Sequence, residues 1–121
     1  MAYDLDEAHY YLALVYRMRN RRTEAAAEFR RTVELNPNHA RAQGNLGFLE
    51  LEAGRLPQAL VYLTEAVRLD PNDALALGSL GTIKLQQGAQ NEAAGLFRRV
   101  LAIDPQNEEA RAGLKILGIL K

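Results

Sequence analysis

Three prolines recur at intervals of 34 residues, Pro37, Pro71 and Pro105, in the segments LNPNH, LDPND and IDPQN. A fixed period of this length is the mark of one supersecondary unit stacked on copies of itself. Laid on that period, the chain divides into units 6–39, 40–73 and 74–107 and a half unit, 108–121. Units two and three agree at Ala40/Ala74, Ala42/Ala76, Gly44/Gly78, Leu46/Leu80, Gly47/Gly81, Leu51/Leu85, Gly54/Gly88, Ala59/Ala93, Asp70/Asp104 and Pro71/Pro105.

Each unit reads as two helices. In unit two, Ala42, Leu46, Leu49 and Ala53 fall at i, i+4, i+7 and i+11, one stripe of a helix. Gly54 ends it, because glycine takes the left-handed cap conformation without steric cost. Pro57 stands where a first helical residue would be, and Ala59, Leu60, Leu63, Val67 and Leu69 form the second apolar face. Asp73 and Asn107 are N-caps for the helices that follow. Gly88 repeats the stop in unit three, and Asn20 holds that place in unit one. No useful run alternates with period two, and every connection is short. The expectation is seven helices in an all-α chain, with antiparallel neighbours, forming a single domain over 1–121.

The composition narrows function mainly by exclusion. Lys+Arg and Asp+Glu are 15 each, so no global basic field exists to hold nucleic acid, and none is expected as a partner. Cysteine is absent, which excludes disulfides, zinc-thiolate sites and a thiol nucleophile. The acidic start MAYDLDEAHYY does not read as a signal peptide, and no apolar run is long enough for a membrane helix. A cytoplasmic chain without membrane insertion is expected. The two histidines, His9 and His39, occupy different columns and have no partner at metal spacing; His9 is expected between helices and His39 at an exposed helix start. Ser79, the only serine, has no histidine in phase with it. Asp6/Glu7, Asp70/Asp73 and Glu108/Glu109 sit at or near helix starts, where they favour the helix dipole rather than catalysis. Each glycine has a cap, packing or groove place in the repeat, so no phosphate loop is present. No catalysis, cofactor or metal is expected. Arg17, Arg19, Arg21, Arg22, Arg30 and Arg31 form a basic cluster diluted by Glu24, Glu28 and Glu34, which reads as a solvated face with salt bridges.

These columns resemble the tetratricopeptide repeat. The resemblance rests on Leu12, Ala13, Tyr16, Ala25, Phe29 and Pro37 in unit one, on Leu46, Gly47, Ala59, Leu63, Ala66 and Pro71 in unit two, and on Leu80, Gly81, Ala93, Phe97 and Pro105 in unit three. It implies a right-handed α-solenoid of helix-turn-helix repeats closed by a capping helix over 108–121. It also implies that the first helix of each pair lines a concave face. Set against that expectation, the stripe beside the core stripe supplies a candidate peptide-binding groove: Tyr10, Tyr11, Leu14, Arg17, Arg41, Asn45, Phe48, Leu51, Leu75, Ser79, Thr82, Leu85 and Ile116. Some members of the family clamp a C-terminal carboxylate with lysine, arginine and asparagine; here only Asn45 fits those columns. Others hold a peptide backbone with an asparagine ladder; here that column reads Tyr11, Asn45, Ser79 and Gly113, and Asn45 is the best single polar contact. Gly44 and Gly78 lie mid-helix, either to lower the groove floor or to meet a neighbouring helix closely.

Three functions are compatible with this pattern. The leading one is a non-catalytic adaptor binding a peptide or a partner's helix in the groove. The alternatives are a scaffold that self-assembles through its end faces and a regulatory segment of a larger enzyme or secretion component. Ile116, Ile119 and Leu120 on the closing helix form a possible association face for a homo-oligomer.

Overall fold

The computed structural model describes residues 4–121. Seven helices follow in order: α1 (Leu5–Met18), α2 (Arg22–Leu35), α3 (Ala40–Glu52), α4 (Leu56–Leu69), α5 (Ala74–Gln86), α6 (Gln90–Ile103) and α7 (Glu108–Ile116). No strand occurs among the described residues.

Local chemistry repeats at each boundary. Asn20, Gly54, Gly88 and Gly118 have φ of 59°, 79°, 79° and 78°. Each is followed by a backbone N–H that reaches back over the turn, as Arg55 does to the Glu50 carbonyl (2.9 Å) and Ile119 to Leu114 (2.9 Å). This closes the last carbonyls of α1, α3, α5 and α7. Before each repeat proline, the side chain of Asn36, Asp70 or Asp104 accepts from the N–H two residues on (3.1, 3.0 and 3.2 Å). The next helix is then capped by His39, Asp73 or Asn107, whose side chains accept from the N–H of Ala42, Ala76 and Ala110.

Four details depart from expectation. His39 is not an exposed residue at a helix start: its Nδ1 caps α3, its Nε2 meets Glu7 Oε1 at 2.8 Å, and its ring lies 4.5 Å from that of Tyr10. Pro57 takes the second position of α4 rather than the first. Ala53 is the exposed C-cap of α3 and leaves the core stripe at Leu49. The closing helix does not run over 108–121, because Gly118 comes one turn early on the repeat and α7 stops at Ile116.

The core lies between successive helices in three clusters. Tyr10, Ala13, Ala25 and Phe29 pack with Ala42, Leu46 and Leu49; Ala59, Leu63 and Ala66 pack with Ala76 and Ile83; Ala93, Phe97 and Val100 pack with Ala110 and Leu114. Full burial of each large side chain contributes about 1.5–3 kcal/mol. The small columns make this possible. A Cβ on Gly47 would stand 2.6 Å from Leu63 Cγ, and one on Gly81 would stand 2.7 Å from Phe97 Cε1. Glu50 is buried where unit one has Tyr16 and unit three Lys84. Its carboxylate takes Arg55 Nε at 2.7 Å and Nη2 at 3.2 Å, with Arg30 Nη2 at 3.5 Å, so the buried charge is paired.

The stacking determines the curvature. α3 packs on α5 and α5 on α7, whereas no comparable packing joins α2 to α4 or α4 to α6. α3, α5 and α7 are therefore drawn together, and the second helices splay apart. The result is an all-α helical-repeat solenoid with α3, α5 and α7 on its inner side.

Candidate functional site

The inner face combines a row of apolar side chains with two arginines. Leu14, Phe48, Leu51, Leu75 and Leu85 are half-buried, and Ile116, one turn before the end of the solenoid, is 72% exposed. Arg17 and Arg41 are exposed beside them. Arg17 lies over the Phe48 ring, with its Cζ 5.7 Å from the centroid, and its Nη1 donates to Asn45 Oδ1. A shallow cleft of about 150 Å³ opens between Arg17, Phe48 and Glu52. A second, of about 360 Å³, lies between Arg41, Asn45, Asp70, Asp73 and Leu75.

Several expected groove residues are not available there. Tyr10 is buried in the first cluster against Phe29 and His39. Ser79 is fully buried and its hydroxyl donates to the Leu75 carbonyl at 2.8 Å. Asn45 is largely buried, with Oδ1 taken by Arg17 and Nδ2 donating to the Arg41 carbonyl at 2.8 Å. One acceptor position of its Oδ1 and one N–H of its Nδ2 are thus used within the fold. The physical reason is visible at the fourth member of that column: Gly113 lies against the Phe97 ring of α6. At Gly113 the column meets the second helix of the preceding unit, and at Asn45 it reaches Arg17 on the first helix of the preceding unit. Tyr11 is exposed (60%), and among the described residues no second helix lies over it. Thr82 remains half-exposed but already donates to Glu109 Oε1 at 2.8 Å. Of the proposed association face, Ile119 is exposed and Leu120 folds back on the third cluster.

Some of the charged groups are paired. Arg21 pairs with Glu24, Arg22 with Glu52, Arg30 with Glu50, and Lys84 with Glu92. On the outer side, Arg99 donates to the Pro71 carbonyl. Burial at the start of α5 raises the Asp73 carboxyl above its ordinary value, despite the N–H of Ala76 that it accepts. Asp6 is held below its ordinary value, chiefly by the Asn36 amide.

The sequence reading missed one feature. A groove of about 510 Å³ lies on the outer side between α4 and α6, lined by Leu60, Val67, Leu80, Gly95 and Leu96. Gly95 has nothing within 4 Å of where a Cβ would stand, so it has neither the cap nor the packing role expected of every glycine. A mid-helix glycine outside the repeat's small columns was the available signal.

Comparison with known proteins agrees with this geometry. The family described as tetratricopeptide repeat matches residues 2–40, 10–73 and 45–108. Among solved structures, the TPR domain of Arabidopsis OM64 is 24% identical, covers 94% of each chain and superposes with a TM-score of 0.84. The first TPR of Spaghetti (RPAP3), bound to the HSP90 peptide SRMEEVD, is 18% identical over 94% of this chain and 90% of its own, with a TM-score of 0.83. At these identities the likeness is one of fold. No curated protein matches the sequence. Among the described residues, no helix is long and apolar enough to cross a membrane.

Proposed function

Because the chain belongs to the tetratricopeptide repeat family, we propose that it is a non-catalytic adaptor holding a peptide or a partner's helix on its inner face. The observation that carries this reading is the row Leu14, Phe48, Leu51, Leu85 and Ile116. It crosses four helices and stays half-buried or exposed after the core has been filled. An apolar ligand segment gains most along that row. Phe48 is the central anchor and Arg17 the nearest unsatisfied cation, since only part of its guanidinium is engaged by Asn45.

One of the structural neighbours holds an acidic peptide. This chain supplies only Arg17 and Arg41 toward such a ligand, and Asn45 is already engaged. Apolar contacts therefore dominate recognition here, with one or two acidic groups at the Arg17 and Arg41 end. Selection from a displayed random-peptide library, followed by titration of the enriched sequences, tests the reading. Phe48→Ala is expected to weaken binding by at least about tenfold with the fold intact. Leu96→Asp, in the outer groove, is expected to leave it unchanged. Enriched peptides that ignore Phe48 and respond to Leu96 would overturn it.

A further inference from the structure

Ala8, Leu12 and Val15 stand in the same columns as Ala42, Leu46 and Leu49, as Ala76, Leu80 and Ile83, and as Ala110, Leu114 and Leu117. In the later three units these side chains are buried or half-buried beneath the second helix of the unit before, α2 on α3, α4 on α5 and α6 on α7. Among the described residues nothing plays that part on α1: Ala8 is exposed, and Leu12 and Val15 are 41% and 43% exposed, beside Tyr11 at 60%. The internal stacking interface of the repeat is thus displayed at one end of the solenoid.

The same stripe carries opposite charges at its two ends. Asp4 precedes it as the N-cap of α1, Arg19 follows it as the C-cap, and Leu12 lies near its midpoint. Among the described residues neither charged side chain is engaged. The three internal interfaces are each made by an antiparallel helix. A second α1 laid antiparallel on the first would bring Asp4 against Arg19 at both ends and Leu12 against Leu12 at the centre.

We propose that this face is a homodimer interface, in which α1 of a second copy takes the place that α2 takes on α3. Two-fold symmetry makes the contact self-complementary and closed, so it ends at two chains. It does not rest on the inner face binding a peptide, and it leaves the row from Leu14 to Ile116 open in both copies.

Sedimentation velocity on the full chain from micromolar to millimolar concentration tests the proposal, with circular dichroism confirming that each variant is folded. The unaltered chain is expected to pass from monomer to dimer. Leu12→Lys places two cations at the symmetry axis and is expected to weaken association by on the order of a hundredfold or more. Arg19→Glu and Asp4→Arg each set like charges against each other and are expected to weaken it by about tenfold. Mixed in equal amounts, these two variants complement one another and regain the dimer. A chain that is monomeric throughout overturns the proposal. So does a dimer that Leu12→Lys leaves intact, which would move the contact to Ile116 and Ile119. Failure of the mixture to recover overturns the antiparallel pairing.

Discussion

Asp73 lies directly against Gly44: its Oδ2 stands 2.7 Å from where a Cβ on Gly44 would be. Its other oxygen caps α5 by accepting from the Ala76 N–H at 3.1 Å. The glycine in α3 therefore makes room for the N-cap of the next unit's first helix. Close approach to a neighbouring helix, rather than a lowered groove floor, accounts for it.

The same column in unit three behaves differently. A Cβ on Gly78 would meet Glu109 Oε2 at 3.7 Å, an ordinary contact. Gly78→Ala is expected to stabilise by up to about 1 kcal/mol through helix propensity. Gly44→Ala gains the same propensity but displaces the Asp73 cap, a loss of about 0.5–2 kcal/mol. Urea denaturation should place the alanine at 44 about 1 kcal/mol below the alanine at 78. Equal effects would mean that the Asp73 side chain is not held where it caps.

Asp73 also has a pH signature. Burial holds its folded-state carboxyl above the ordinary value at which the unfolded chain titrates. Between the two, the folded state binds more proton, so stability from this group falls as pH rises through that window. Asp6 has the opposite sign, since its folded carboxyl is lowered and its contribution is lost as pH falls. Asp73→Asn keeps a capping side chain, as Asn107 does in the following unit. The variant is expected to be at least as stable as the parent at neutral pH. Its advantage should shrink as the parent's Asp73 becomes protonated. Melting curves across the acid range check this; an advantage that grows toward low pH would be the wrong sign.

The Phe97 ring is enclosed by two glycines on different helices, Gly81 of α5 and Gly113 of α7. A methyl added at either has no free direction to push the ring. Gly81→Ala and Gly113→Ala are each expected to destabilise, overpacking of about 1–3 kcal/mol exceeding the helix gain of about 1 kcal/mol. Gly95→Ala, in open space on α6, should instead stabilise by up to about 1 kcal/mol. Thermal denaturation of the three variants gives the order directly, and a melting point for Gly113→Ala above that for Gly95→Ala would contradict it.

The helices and their order were legible because their boundaries rest on local chemistry. Gly54, Gly88 and Asn20 need only their own left-handed conformation, and Asp73 and Asn107 need only an N–H three residues on. The inner face was less legible because helical periodicity assigns a residue to a face but not to the neighbour that claims that face. Leu14, Phe48, Leu51 and Leu85 were placed by periodicity and remain partly open. Asn45 and Ser79 share that broad side, yet their column turns toward the preceding unit, and both are engaged in bonds within the solenoid. Seeing this required the stacking angle between units, which no single unit encodes. Of the basic cluster, Arg21 pairs with Glu24, while Arg22 and Arg30 reach to Glu52 and to the buried Glu50, which the sequence did not signal because the residue type varies freely at that column.

His39 offers a last check on how the first two units are joined. Nδ1 must be unprotonated to accept the Ala42 N–H, which leaves Nε2–H to donate to Glu7. The ring also packs at a tilt against Tyr10 and so ties α1 to the start of α3. Asparagine caps the same column in the next-but-one unit, so His39→Asn keeps the cap and loses only the Glu7 bond and the ring contact. His39→Ala loses all three and leaves an N–H of α3 without a partner. The alanine variant is expected to fall below the asparagine variant by the value of one cap, about 1 kcal/mol. Amide hydrogen exchange localises the effect: in the alanine variant the first turn of α3 should exchange faster than the first turns of α5 and α7. Equal stability of the two variants, with unchanged exchange at Ala42, would mean that the His39 imidazole does not cap the helix.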